Sequence, residues 1–145
     1  MVAVVRWKVL TLTQPWATLL ATGEKRLETR SWQTRYRGPL AIHAAAAFPL
    51  PARRLCADEP LAGALGRHGY LGPGDLPRGV VLATCRLVAI RRVASATDVP
   101  QGDEARFGDF SIGRFVWVVA DVRPLARPLP ERGRLGLWTA ALPGG

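Results

Sequence analysis

Apolar and β-branched residues run from Val2 to Leu12 and are broken at alternate positions by Arg6 and Lys8, which predicts a strand with one polar and one apolar face. Thr13-Gln14-Pro15 then punctuates the pattern: Thr13 or Gln14 can cap a helix, and proline suits its first turn. Trp16, Leu19 and Leu20 fall at helical spacing, and Gly23 is placed to end the helix. From Lys25 to Trp32 the period returns to two, so Arg26, Glu28 and Arg30 share one strand face and Leu27 and Thr29 the other. Lys25 has the wrong parity to join Glu28, unless the residues after Gly23 form a turn.

Gln33 to Gly38 reads as a polar loop and Pro39 to Ala45 as a third strand. Helical turns are expected within Pro51–Ala57 and Leu61–Leu65, followed by a glycine-rich loop to Gly79. Two long β runs follow, Gly79 to Val93 and Gly113 to Pro124. Between them, Ser95 to Ser111 is polar and acidic, a loop expected to bring Asp98, Asp103, Glu104 and Asp109 near one another. No repeat or linker divides the chain, so residues 1–145 are expected to form one domain. The expected class is α+β and mostly β: a small antiparallel barrel of five to six strands with short flanking helices, closure removing exposed edges.

Composition adds a partner class. Twenty Lys and Arg face eleven acidic residues, a formal net charge of +9. Only Lys8 and Lys25 are lysines, so eighteen of those cations are arginines; a GC-rich genome accounts for that choice but not for the cationic excess. Such a balance favours polyanions. Cys56 and Cys85 stand apart with no paired spacing, so reduced buried thiols are expected and neither a zinc site nor any other metal or cofactor is predicted. No run approaches a membrane span, and Met1 to Arg6 lacks the pattern of a secretory signal; an intracellular, cytoplasmic protein is expected.

The candidate chemistry concentrates between Gly23 and Gly38. Lys25, Arg30 and Arg37 offer cations for phosphate, and Trp16, Trp32 and Tyr36 offer planes for base stacking. Glu28 suits either an acceptor for a base amino group or an ion pair that orients Arg30. Ser31 is a ligand-facing hydroxyl, and His43, on an apolar strand, suits a hydrogen-bonded structural histidine as well as a ligand contact. Trp117, alternating with valines, belongs to the barrel wall, and Trp138 plugs one barrel end. Arg91, Arg92, Arg132 and Arg134 are outer contacts for a polyanion or ordinary surface charge. RNA or DNA is the expected partner, with strandedness and oligomeric state open.

Several of these residues also form a recognisable string. Leu12-Thr13-Gln14-Pro15-Trp16, then Gly23-x-Lys25-x-x-Glu28-x-Arg30, then Ser31-Trp32 and Tyr36-Arg37-Gly38-Pro39-Leu40-x-Ile42-His43-Ala44 resemble the ASCH domain, the activating signal cointegrator-1 homology family of the PUA-like superfold. The resemblance is dense over residues 9–45 and looser through Gly79–Ile90 and Arg114–Trp138. It implies a PUA-like β-barrel that recognises RNA or DNA through a cleft between the barrel and its first helix. Some relatives are hydrolases, either ribonucleases or amidohydrolases acting on N4-acetylcytidine, which would make Lys25 and Glu28 the catalytic pair. In the amidohydrolase pattern a threonine nucleophile follows the lysine by three residues; here that position is Glu28. A carboxylate does not replace an activated hydroxyl in acyl transfer.

Overall fold

The computed structural model describes residues 4–143; the start of the first expected strand, Val2 and Ala3, lies outside them. Six strands form one mixed sheet: β1 (Val4–Leu12), β2 (Leu27–Arg30), β3 (Gly38–Ala44), β4 (Val80–Arg92), β5 (Phe115–Pro130) and β6 (Leu137–Pro143). Three short α-helices accompany it: α1 (Trp16–Ala21), α2 (Leu50–Leu55) and α3 (Leu61–Gly66). The α+β, mostly β expectation thus holds. The order across the sheet is β2-β5-β4-β3-β1-β6, all neighbours being antiparallel except the parallel pair β1 and β3.

Backbone hydrogen bonds do not close this sheet, and β2 and β6 remain its edges. It is nevertheless strongly curled. Laid flat, β2 and β1 would stand about 19 Å apart, four steps of roughly 4.8 Å. Yet Arg30 Nη2 on β2 donates to the Thr11 carbonyl on β1 at 2.7 Å, a gap that curling alone lets an arginine span. The curl comes from the long β4–β5 ladder, whose register slips three times, and each slip adds bend and twist. β5 runs past Pro124 to Pro130, further than the sequence pattern suggests; the ladder jumps there from Pro124 opposite Ala83 to Leu129 opposite Val81. A strand that carries proline fits an irregular ladder of this kind.

Helix α1 lies between two apolar clusters. Ala17, Leu20 and Ala21 pack on the sheet with Leu10, Ile42 and Trp117, while Leu19 packs with Leu61, Leu65 and Phe107 on the α3 side. Its first turn is anchored by Gln14, which is fully buried. The Gln14 Oε1 accepts the Thr18 N–H at 3.0 Å, and its Nε2 donates to Thr18 Oγ1 and the Pro77 carbonyl. Gln14 thereby meets an N–H that a helix start leaves without an intrahelical acceptor. Cys56 and Cys85 are both free and buried, and burial pushes the Cys85 thiol up to about 12. No helix among the described residues is long and apolar enough to cross a membrane.

Candidate nucleic-acid interface

A cleft of about 640 Å³ opens where β2, the β1–α1 connection and the segment Arg106–Asp109 meet. That volume lies within the range of small-molecule and nucleotide sites, roughly 300–1,000 Å³. Of the residues singled out in the sequence, Trp16, Glu28, Arg30, Ser31 and Trp32 line it together.

Lys25 belongs to its foundation. Gly23 adopts φ of +83°, the left-handed region that glycine enters without strain, and the chain turns so that the Lys25 N–H reaches the Leu19 carbonyl at 2.9 Å. The turn frees Lys25 from strand parity and aims it inward, leaving it 1% exposed. Its ammonium donates to the carbonyls of Leu27 and of Phe107, the latter at 2.7 Å, and stands 3.3 Å from Glu28 Oε1. Three acceptors match the three protons of an ammonium. Glu28 Oε2 lies 3.0 Å from Arg30 Nη2, so each carboxylate oxygen faces one cation.

The opposite wall was not legible in the sequence. Glu104 accepts the backbone N–H groups of Arg26 and Leu27 at 2.8 and 3.3 Å, and the Asp109 N–H donates to Thr29 Oγ1 at 3.0 Å. Gly108 permits this approach: a Cβ there would stand 3.1 Å from Thr29 Oγ1. The wall wraps the β2 edge, so Thr29 lines the same cleft as Glu28, whereas strand alternation alone places it on the other face. Arg106, exposed at the rim, and Arg114 add cations to the lining. Arg114 donates through Nη2 to the Thr29 carbonyl at 3.1 Å; its Nε is 3.6 Å from Asp109, a Coulombic pair too long for a hydrogen bond. The Nε atoms of Arg30 and Arg114 are the buried side-chain polar atoms without a hydrogen-bond partner among the described residues.

Three of the four acids of the 95–111 loop are put to separate local uses. Asp98 caps the Ala94 and Ser95 N–H groups, which hold its carboxyl below the usual range. Asp109 accepts from Ser111, and that hydroxyl likewise lowers its carboxyl. Glu104 holds the β2 edge, and Asp103 is exposed. Among the described residues no three His, Cys, Asp or Glu side chains converge as metal ligands.

Tyr36, Arg37 and His43 stand outside the cleft lining. Tyr36 packs against the sheet core, with its hydroxyl donating to the Pro39 carbonyl. Arg37 is exposed and donates to the Thr34 and Tyr36 carbonyls, both at 2.8 Å. His43 is fully buried on the far face of β3 and stacks edge-on with Trp138, 5.6 Å between ring centres. Its hydrogen bonds determine its tautomer. The Glu131 carbonyl, 2.8 Å from Nε2, can only accept, so Nε2 carries the proton. Nδ1 then accepts from Thr11 Oγ1 at 3.1 Å, and that hydroxyl oxygen accepts from Trp138 Nε1 at 3.0 Å. Trp32 is braced from behind by Trp117, edge-on at 4.9 Å and 79°, whose Nε1 donates to the Trp32 carbonyl.

Comparison with known proteins identifies a family. The ASCH domain family model matches residues 10–128. A stretch of 79 residues is 38% identical to human activating signal cointegrator 1, covering 54% of this chain and 13% of that protein. The mouse activating signal cointegrator 1 is 29% identical over 130 residues, covering 89% of this chain and 21% of the relative. The chain therefore spans only a small part of either relative's length. With the family pattern extending from β1 into β5, this chain belongs to the ASCH domain family.

Proposed function

We propose that the chain is a nucleic-acid-binding module of RNA or DNA, with a PUA-like barrel as its scaffold and the cleft as its binding site. The observation that carries this reading is the lining itself. Arg30, Arg106 and Arg114 stand around one cavity with Trp16 and Trp32, and Glu28 in the same lining has its carboxylate held between two cations. Phosphate calls for guanidinium, a base calls for an aromatic plane, and an amino edge calls for a carboxylate acceptor. The guanidiniums of Arg30 and Arg114 are not exhausted by contacts within the chain, since each retains donors beyond its one backbone carbonyl. Lys25 supports the site from beneath: its protons are taken by internal acceptors and it does not line the cleft, which favours binding over acid-base chemistry at this lysine. Tyr36, Arg37 and His43 are not needed for the cleft.

The test is an affinity titration of labelled single-stranded RNA and DNA across a salt series. Arg106→Ala should flatten the log–log salt slope by about 0.7, one single-strand phosphate contact. Trp32→Ala should cost about 1–3 kcal/mol, the range for one stacked base. Unchanged affinity in both variants at every salt concentration would overturn the assignment of this cleft.

A further inference from the structure

The connection between β5 and β6 carries a feature that the cleft does not use. Arg132, Arg134 and Leu135 are exposed there, Leu135 almost completely, and Gly133 lies between the two arginines. The base of this loop is held firmly. The Glu131 N–H donates to the Gly79 carbonyl at 3.1 Å, and the Glu131 carbonyl accepts from His43. Gly133 sits directly over the buried ring: a Cβ on it would stand 2.9 Å from His43 Cε1 and 3.4 Å from Thr11 Oγ1.

Thr11 joins this loop to the cleft. It lines the cleft, its carbonyl receives the Arg30 guanidinium, and its hydroxyl is locked between His43 and Trp138. Thr11 is thus shared by the two features: Gly133 of the loop stands at its hydroxyl, and Arg30 of the cleft meets its carbonyl. Neither Arg132 nor Arg134 has a salt-bridge partner among the described residues.

We infer that this loop extends the cleft into a track for a single polynucleotide strand. One nucleotide occupies the cleft between Trp16 and Trp32, and the phosphates that follow cross the Thr11 ridge onto Arg132 and Arg134. This rests on the cleft being a nucleic-acid site. A single strand is favoured because the cleft receives an unstacked base, which a closed duplex does not offer. Fully exposed Leu135 gives the next base or sugar an apolar surface beside the two charges. Gly133 and the His43–Thr11–Trp138 hydrogen bonds fix the height of the track relative to the cleft floor.

The experiment compares wild type, Arg132→Ala/Arg134→Ala and Arg132→Glu/Arg134→Glu, using a labelled 20-nucleotide strand, a dinucleotide and a blunt duplex of the 20-nucleotide sequence. The substituted side chains are exposed, so melting curves of the variants should overlay that of wild type. For the 20-nucleotide strand the alanine pair should lower the log–log salt slope by about 1.4, two contacts at roughly 0.7 each, and weaken binding on the order of tenfold at 0.1 M salt. The glutamate pair should weaken it further, and in both variants the loss should be several-fold larger for the strand than for the dinucleotide. If the dinucleotide binds the cleft and both variants hold the 20-nucleotide strand like wild type, the track is wrong and the cleft stands. Losses confined to the duplex would replace the single strand with a double-stranded partner. Absence of dinucleotide and strand binding in wild type would overturn the cleft and the track together.

Discussion

Lys25→Met removes the ammonium beneath the cleft and keeps most of the side-chain volume. Lys25 is 1% exposed, and its Nζ serves the Leu27 carbonyl, the Phe107 carbonyl and Glu28. Breaking a buried ion pair by deleting one partner costs about 3–5 kcal/mol, because the remaining charge loses its compensation. Here Glu28 retains Arg30 at 3.0 Å, which reduces that part of the loss. The Phe107 and Leu27 carbonyls lose a charged donor, at about 1–3 kcal/mol for each acceptor left without a partner, and these losses overlap. A total of about 3–5 kcal/mol is expected. At about 2–4 °C per kcal/mol for a domain near this size, the melting temperature should fall by roughly 10–15 °C. Urea unfolding followed by tryptophan fluorescence, at matched m-values, measures it. Glu28→Gln takes away the carboxylate that faces this buried ammonium and should also destabilise, although Lys25 keeps both of its carbonyls. A Lys25→Met variant within about 0.5 kcal/mol of wild type, a margin ordinary for surface changes, would refute the reading of Lys25 as an internal strut.

Two further stability predictions test other parts of the structure. Gly133→Ala forces a methyl to 2.9 Å from His43 Cε1, a ring held on both nitrogens, and should destabilise by about 1–3 kcal/mol; an unchanged urea midpoint would contradict the packing described. Burial raises the Cys85 thiol from the ordinary thiol value of 9.0 to about 12. The unfolded chain then loses that proton first, so the contribution is complete below pH 9 and disappears as pH rises towards 12. Within that window Cys85→Ala should remove up to about 1.4 kcal/mol per pH unit from the slope of stability against pH; parallel curves for wild type and variant would refute it.

Much of the cleft's floor was readable because it depends on local patterns. Period-two alternation placed Glu28 and Arg30 together, and the Pro15 break started the helix that carries Trp16 to the rim. The helical turns after Pro49 also fell where expected. Residues that act across long separations were less readable. Lys25 meets Phe107, Glu104 meets Arg26, and Arg114 meets Thr29, each about eighty positions away, and no periodicity encodes such pairings. Gly108 gives only a weak signal, a glycine in a polar stretch, until its contact with Thr29 explains it. The acidic loop was legible only as a composition: its carboxylates read as a cluster, and nothing in that pattern shows that Asp98, Glu104 and Asp109 each serve different backbone N–H groups. The bends that curl the open sheet lie at register slips in the β4–β5 ladder, and side-chain alternation does not report those.

The most direct test of the cleft is a two-dimensional NMR titration of the indole N–H signals with a short single-stranded oligonucleotide. The five tryptophans act as internal probes, with Trp16 and Trp32 lining the cleft and Trp7 packed in the separate cluster of Val9, Ala41 and Trp138. Saturable shifts of Trp16 and Trp32 with Trp7 unmoved are the predicted result. Shifts that leave Trp16 and Trp32 in place, or no shifts with any oligonucleotide, would contradict the proposal that nucleic acid binds in this cleft.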